Sequence, residues 1–493
     1  MSASASSPAL QSGLFEALAE VEHTSRPRWS RQVAADLVGL ADATAIVLGA
    51  ILPATIYQVY GGVAINWFPV IQSGLITSII AVSCLRSWGL YATDKMHSFP
   101  IEPQRLFLVL ILAFAAVQGI GLPFAPGATH AWVWYVVWLS ASFTLILWSR
   151  MMAQMILGKL TAAGRFDTRV AVFGAGTIAR RVYDHLTNPA LGVTFAGVYD
   201  DRQGQDRLNP EGLTVSGRLD DLIEAGRAGR IDQIVIALPQ AADRRAVEIA
   251  KKLEQLPVSL HMVTHIASDL VDSTAMHRVS SIGPVGLIDV KRKPLADWAP
   301  LVKRVEDYGL GLLLVIVATP ILLLCALAIK LDSRGPVLFR QRRHGVNQKV
   351  IEVLKFRTMT VMEDGTEISQ ATKNDVRITR VGRILRRTSL DELPQLINVL
   401  KGDMSLVGPR PHALVHDEHW GEMLERYANR HQVKPGITGL AQVMGRRGVT
   451  DTTDKMKARV ELDLAYIANW SLGTDLKILA KTIRAVIRGE NAN

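Results

Sequence analysis

Two neighbouring carboxylates, Asp391 and Glu392, stand in the stretch from Thr388 to Pro411, TSLDELPQLINVLKGDMSLVGPRP, among the cations Arg386, Arg387, Lys401 and Arg410. An acidic pair set among cations suits metal-assisted phosphate chemistry. The competing reading is a capping box, because Ser389-x-x-Glu392 ahead of an apolar run also closes helix N-termini. Pro394 argues against it: with Ser389 as N-cap, proline would occupy a position where a backbone N–H already donates to the preceding turn. The spacing instead predicts a helix that starts at Asp391, with Asp391 as N-cap and Leu393, Leu396, Ile397 and Leu400 on one apolar stripe. At such an end the N–H groups and the helix dipole keep a carboxylate ionised and attract phosphate.

The rest of the chain must position this pair. At 493 residues, 49% hydrophobic and with a mean hydropathy of +0.19, it is too long for one domain and too apolar for an ordinary soluble protein. Its two cysteines, Cys84 and Cys325, fall inside apolar stretches, so neither a disulfide framework nor a cysteine zinc site is available. From Lys291 onward there are 33 Lys and Arg against 22 Asp and Glu, and before it 22 against 23. The whole net charge of +10 therefore belongs to the C-terminal region, which suits phosphorylated substrates or anionic lipid. Nucleic acid is not expected as a partner, because no recognised binding motif accompanies the charge.

Residues 1–30, rich in Ser and Ala, are expected to form a mobile cytoplasmic tail. Four apolar stretches follow at 33–57, 68–90, 104–124 and 131–152, each near the length of a bilayer-spanning helix, and residues 31–157 are read as a four-helix transmembrane unit. Arg26, Arg28 and Arg31 precede the first stretch, Arg86, Lys95 and Arg105 mark the second loop, and Arg150, Lys159 and Arg165 follow the fourth. Both ends of the unit are thus expected on the cytoplasmic side.

Residues 165–290 change to a soluble α/β pattern. RVAVFGAGTIARRVYDHL reads as strand, Gly-rich turn and helix, and Gly197–Arg202 and Ile231–Pro239 as further strands. Gly174, Gly176 and Ala179 match a dinucleotide fingerprint, with Asp200 or Asp201 where a ribose-binding acid belongs. This predicts a Rossmann-like domain without establishing a cofactor, since a tight strand–helix turn accounts for the glycines equally well. An oxidoreductase working in this module needs a Tyr-x-x-x-Lys pair, and none occurs between residues 170 and 290.

Residues 291–493 form the last domain. Its apolar segment at 305–331 is broken by Thr319-Pro320 and flanked by cations on both sides, so a straight crossing would expose a basic segment outside. A re-entrant helix that enters and leaves one leaflet avoids this, with proline freeing a carbonyl that Thr319 can bond. The terminal run from Leu476 to Arg488 mixes apolar and basic residues as a helix lying on a membrane surface does. The expected fold class is a membrane multi-domain protein: a four-helix transmembrane unit, a Rossmann-like α/β domain and a mixed α/β catalytic domain with a re-entrant membrane helix.

These segments, in this order, resemble the bacterial sugar transferase family, the monotopic phosphoglycosyl transferases that begin exopolysaccharide and O-antigen assembly. The resemblance spans about residues 290–490 and rests on Lys303-Arg304-x-x-Asp307, the proline-broken helix, KFRTM, Asp391-Glu392, Pro409-Arg410-Pro411 and PGITG. The preceding helices and Rossmann-like module resemble the large subclass. Thr319 stands where many members have Ser. The resemblance implies transfer of a hexose 1-phosphate, glucose before galactose, from a UDP-sugar to undecaprenyl phosphate at the cytoplasmic face of the bacterial inner membrane, with release of UMP. It also implies Asp391 as nucleophile, Glu392 as Mg²⁺ ligand, and Lys355, Arg386 and Arg410 as phosphate and nucleotide contacts. Arg446, Asp463 and Asp475 are implied as further substrate contacts, and Lys303 and Arg304 as headgroup-level residues near the lipid phosphate. Downstream glycosyltransferases are the implied partners, and a homodimer is left open. The rival non-enzymatic reading, a nucleotide-sugar-binding membrane scaffold or sensor, has no need of a nucleophile.

Overall fold

A computed structural model describes residues 30–61, 64–92, 102–119, 131–186, 193–202, 213–263, 279–282, 285–360, 375–446 and 452–488. The expected N-terminal tail, with Arg26 and Arg28, and Lys95 lie outside the described residues. Two compact units divide the chain, one running to Thr168 with residues 188–194, the other holding the remainder.

The first unit contains α1 (Arg31–Gly61), α2 (Trp67–Ser87), α3 (Pro103–Gly119) and α4 (Ala131–Ala162). By length and composition, α1, α2 and α4 can each cross a membrane, whereas α3 is a shorter apolar helix among the described residues. Ile46, Ala50, Leu85, Leu106, Leu110, Trp138 and Ile146 form its core. Lipid offers apolar side chains the same environment as a bundle interior, so close packing and polar contacts must hold the helices together. Gly49 allows that closeness between α1 and α4: a Cβ there would lie 2.9 Å from the Ser142 backbone nitrogen. The polar contact is a buried pair. Arg150 Nη2 sits 2.7 Å from Asp42 Oδ2, and the Tyr91 hydroxyl donates to the same oxygen at 2.8 Å. Arg150 is thus not a loop charge marking the cytoplasmic side; α4 runs on to Ala162, and Arg150 neutralises Asp42 inside the bundle.

In the second unit, β1 (Thr168–Phe173), β2 (Val193–Tyr199), β3 (Val215–Gly217), β4 (Gln233–Ile236), β5 (Ser259–Val263), β6 (Val279–Ile282) and β7 (Val285–Lys291) form one sheet in the order β3-β2-β1-β4-β5-β7-β6. The first five strands are parallel in the Rossmann order, and β7 and β6 add an antiparallel edge. Helices α5 (Thr177–Leu186), α6 (Leu219–Arg227) and α7 (Asp243–Leu253) supply the crossovers.

The C-terminal part opens with α8, a continuous helix from Ala299 to Asp332 with Pro320 inside it. Thr319 Oγ1 donates to the Val315 carbonyl at 2.7 Å, next to the Ile316 carbonyl that proline leaves without its helical donor. Leu312, Leu313, Ile316, Val317, Leu323, Leu324 and Leu327 are exposed on this helix, which is also long and apolar enough to cross a membrane. Both of its ends hold the same folded body. Near the N-terminal end Asp307 Oδ1 accepts from Ser405 Oγ and the Leu406 N–H, each at 2.9 Å. At the C-terminal end Asp332 accepts from the Val381 N–H at 3.1 Å, and Arg357 donates to the Ser333 and Arg334 carbonyls at 2.7 and 2.8 Å. That body comprises the hairpin β8 (Leu338–His344) and β9 (Val350–Phe356), α9 (Arg380–Thr388), α10 (Gln395–Lys401), β10 (Ser405–Val407), α11 (Leu414–Met423), β11 (Gly436–Thr438), α12 (Leu440–Val443), α13 (Thr453–Ala468) and α14 (Leu472–Arg488). Val353, Val399, Met404, Leu406, Tyr466 and Ile478 form its core.

Candidate active site

The acidic pair sits on a short 3-10 turn, Leu390–Glu392, between α9 and α10. Helix α9 ends at Ser389, which takes the left-handed conformation with φ 57°, so the chain reverses immediately before the pair. Pro394 caps α10, and Asp391 lies four residues before that helix begins. The expected start at Asp391 is therefore corrected, and the capping box is absent too, since Ser389 makes no side-chain cap bond. Proline's fixed φ opens the α-helix at its own position, and the residues ahead of it take the tighter turn.

Glu392 is buried and held from two sides. Lys355 Nζ, on β9, donates to Oε1 at 3.1 Å, while Arg410 Nη1 donates to Oε2 at 3.0 Å and Nη2 to Oε1. Burial alone opposes ionisation, but Arg410 and then Lys355 outweigh it and hold the Glu392 carboxyl well below its ordinary range. Asp391 differs: among the described residues no side-chain hydrogen bond or ion pair engages its carboxylate, which is half-buried. Burial pushes its carboxyl above the ordinary aspartate range, with Lys355 pulling against that shift and Glu392 adding to it. A neighbouring ionised carboxylate and a poorly solvated site leave Asp391 more basic, and so more nucleophilic, than a surface aspartate. Arg386, at the end of α9, acts electrostatically on the same carboxylate.

Asn398 fixes Lys355 relative to the pair. Its Oδ1 accepts from the Leu354 N–H at 2.9 Å and its Nδ2 donates to the Glu352 carbonyl at 2.7 Å, joining α10 to β9 as another strand would. On the other side β10 pairs in parallel with β11, Ser405 opposite Gly436 and Val407 opposite Thr438. Glycine is required there, because a Cβ on Gly436 would stand 2.1 Å from the Gly408 nitrogen. This close pair carries the chain into Pro409-Arg410-Pro411.

A model of the family described as bacterial sugar transferase matches residues 298–489, and one described as a CoA-binding domain matches residues 86–264. The UDP-glucose:undecaprenyl-phosphate glucose-1-phosphate transferase of Escherichia coli K12 is 40% identical over 358 residues, covering 72% of this chain and 75% of that protein. Its counterpart in Xanthomonas campestris pv. campestris is 34% identical over 491 residues, with 95% and 97% covered. The chain belongs to the bacterial sugar transferase family. The exopolysaccharide production protein PSS of Rhizobium leguminosarum bv. phaseoli is 49% identical over 187 residues, 37% of this chain and 94% of that shorter protein.

Of the residues expected in the site of this sugar transferase, Lys355 and Arg410 converge on Glu392, and Arg386 lies within electrostatic reach of Asp391. Asp475 does not join them. It is fully buried, 2.5 Å from Lys303 Nζ and 2.9 Å from Trp470 Nε1, which it anchors to the base of α8. Lys303 is correspondingly buried among Glu306, Asp307 and Asp475, so its ammonium is already engaged rather than open to a lipid phosphate; Arg304 is exposed. Asp463 is consumed by Arg430 at 2.7 Å, and Arg446 is exposed at the end of α12. Helix α14 buries Ile478 and exposes Leu476 and Ile483, so only part of its apolar set faces outward.

The reading of Glu392 as magnesium ligand meets an obstacle in this geometry. Mg²⁺ requires oxygens at about 2.0–2.1 Å and usually takes one or two carboxylates with substrate phosphates. Both Glu392 oxygens already accept from cations, which would face the ion across the carboxylate. The residues present do not fit an ion resident on Glu392.

Arg343 was not singled out by the sequence. It lies half-buried beside Arg410, donating to the Pro411 carbonyl and, at 2.7 Å, to Gln341 Oε1, and desolvation followed by Arg410 brings it down to about 10, still cationic at neutral pH. Its signal was weak: Gln341 and Arg343 share one face of a period-2 strand, but so does many a surface pair.

In the Rossmann-like domain the turn glycine Gly174 has φ 110°, and a Cβ on it would lie 2.7 Å from the Ala237 carbonyl oxygen. Ala179 is fully buried, while Gly176 meets nothing within 4 Å. The expected ribose acid is turned inward: Asp200 Oδ2 accepts from the Ala175 N–H at 2.9 Å and Oδ1 from the Arg202 N–H at 3.0 Å. Asp200 closes the Gly-rich turn itself.

Proposed function

We propose that the chain transfers glucose 1-phosphate from UDP-glucose to undecaprenyl phosphate, releasing UMP, as the first membrane step of exopolysaccharide or capsule synthesis. The observation that carries this reading is the half-buried Asp391 carboxylate, unpaired among the described residues, beside Lys355 and Arg410. The family and the named relatives support the reaction class and glucose as the sugar. An Asp391 oxygen attacks the sugar-bearing phosphorus; that O–P bond forms as the bond to the UMP oxygen breaks, and UMP leaves with the electron pair. An oxygen of the lipid phosphate then attacks the same phosphorus and frees the carboxylate. Glu392 keeps Arg410 and Lys355 oriented, so the developing charge meets cations already in place. Magnesium belongs to the proposal as a counter-ion arriving with the diphosphate, without an assigned protein ligand.

The site is proposed to lie on the cytoplasmic face of the bacterial inner membrane. A straight α8 of 34 residues would be about 50 Å long, enough to part its ends across a bilayer of about 30 Å. Both ends are bonded to one polar domain, which supports a re-entrant course, with Thr319-Pro320 as its bend and Arg304 at headgroup level. Product passes to glycosyltransferases that extend the lipid-linked sugar, and a homodimer is compatible with the membrane unit.

The test is UMP release by the full-length protein in lipid nanodiscs, with undecaprenyl phosphate, Mg²⁺ and a panel of UDP-sugars. UDP-glucose is expected to be the best donor. Preference for UDP-galactose would change the sugar alone, and release from none would undo the assignment.

A further inference from the structure

We propose that Arg430 is a positioning residue that aims Arg410 at Glu392 from behind. Arg410 stands between two prolines, which have no N–H, so carbonyls are the main backbone handles on this turn. All three are held. The Gly436 N–H donates to the Pro409 carbonyl at 3.0 Å, Arg430 Nη2 to the Arg410 carbonyl at 2.7 Å, and Arg343 Nη1 to the Pro411 carbonyl.

The central handle is itself fixed. Arg430 is 2% exposed, and its Nε and Nη2 reach Asp463 Oδ2 at 3.2 and 2.7 Å while Nη1 reaches the Tyr427 hydroxyl at 3.2 Å. A line of contacts thus runs from Asp463 through Arg430 to the Arg410 backbone, and through the Arg410 guanidinium to Glu392. A buried ion pair is weak support for stability, because a well-packed apolar pair of similar volume often does as well. Orientation of Arg410 is what an apolar pair would not supply. Asp463 accordingly serves Arg430 rather than the substrate.

The inference rests on the proposed transfer, and its test separates the two. UMP release is measured for wild type, for Arg430→Lys and for Arg430→Met combined with Asp463→Leu, each also in an Arg410→Gln background. The paired change removes both charges together and is expected to leave the thermal midpoint near wild type; should it not fold, Arg430→Lys, which keeps the charge beside Asp463, carries the same comparison. Loss of position is expected to lower kcat/KM about 30-fold in the wild-type background and less than about threefold once Arg410 is gone, the non-additivity of residues acting as one unit. Equal factors in both backgrounds, or full activity in the folded variants, would overturn the role of Arg430. Wild-type protein that releases no UMP would instead count against the transfer itself.

Discussion

Asp391 and Glu392 are adjacent in sequence and opposite in electrostatics. Burial raises Asp391, whereas Arg410 and Lys355 overcome burial to depress Glu392. As the proposed nucleophile Asp391 must be ionised, so activity is expected above its raised pKa and lost as pH falls through it. The acid limb of the kcat profile is therefore expected at higher pH than an ordinary aspartate gives, and a limb at or below the ordinary range would contradict the burial effect. Glu392→Gln is expected to cut kcat/KM about 100-fold through misplaced cations, with the Mg²⁺ concentration for half-maximal activity unchanged. A raised magnesium requirement in that variant would restore the metal-ligand role. Residue type and spacing singled out the pair, but left capping as an equal reading until the neighbouring motifs were considered. Arg343 and Arg430 were not legible, because an arginine that grips a backbone carbonyl looks in sequence like any surface cation.

At the scale of elements, the strand β9, the turn at Leu390–Glu392 and the Pro-Arg-Pro segment must agree to within bonding distance. Asn398 fastens the first to the second. Replacing it with Ala strands the buried Leu354 N–H and Glu352 carbonyl, a cost of about 2 kcal/mol. A thermal midpoint lowered by a few degrees together with reduced kcat is expected, and a wild-type midpoint would show that α10 holds β9 by apolar packing alone. Hydrophobic patterning located β1, β2, β4 and the long apolar helices, but not the β8–β9 hairpin that carries Lys355. It misplaced the start of α10 because a 3-10 turn carries no periodicity of its own. The ion cluster of Lys303 with Asp475 was equally hidden, because its partners lie 172 residues apart.

For the molecule as a whole, the order of membrane helices, Rossmann-like sheet and basic C-terminal domain was legible from hydropathy and charge. Arg150 was misread because hydropathy treats a charge near a helix end as a loop charge, while here Asp42 pairs with it. The course of α8 is the main topological prediction: both of its ends are bound to one domain, so a reporter fused at the C-terminus should be active only in the cytoplasm. Activity of a periplasmic reporter at that position would mean that α8 crosses the membrane.

The covalent step on Asp391 is tested most directly by incubating the full-length protein with UDP-glucose and no lipid acceptor, then measuring intact and peptide masses. A glucose 1-phosphate adduct on the peptide holding Asp391, absent from Asp391→Asn and discharged by added undecaprenyl phosphate, is the predicted result. Steady turnover by the wild type with no adduct, or by Asp391→Asn at a comparable rate, would contradict it.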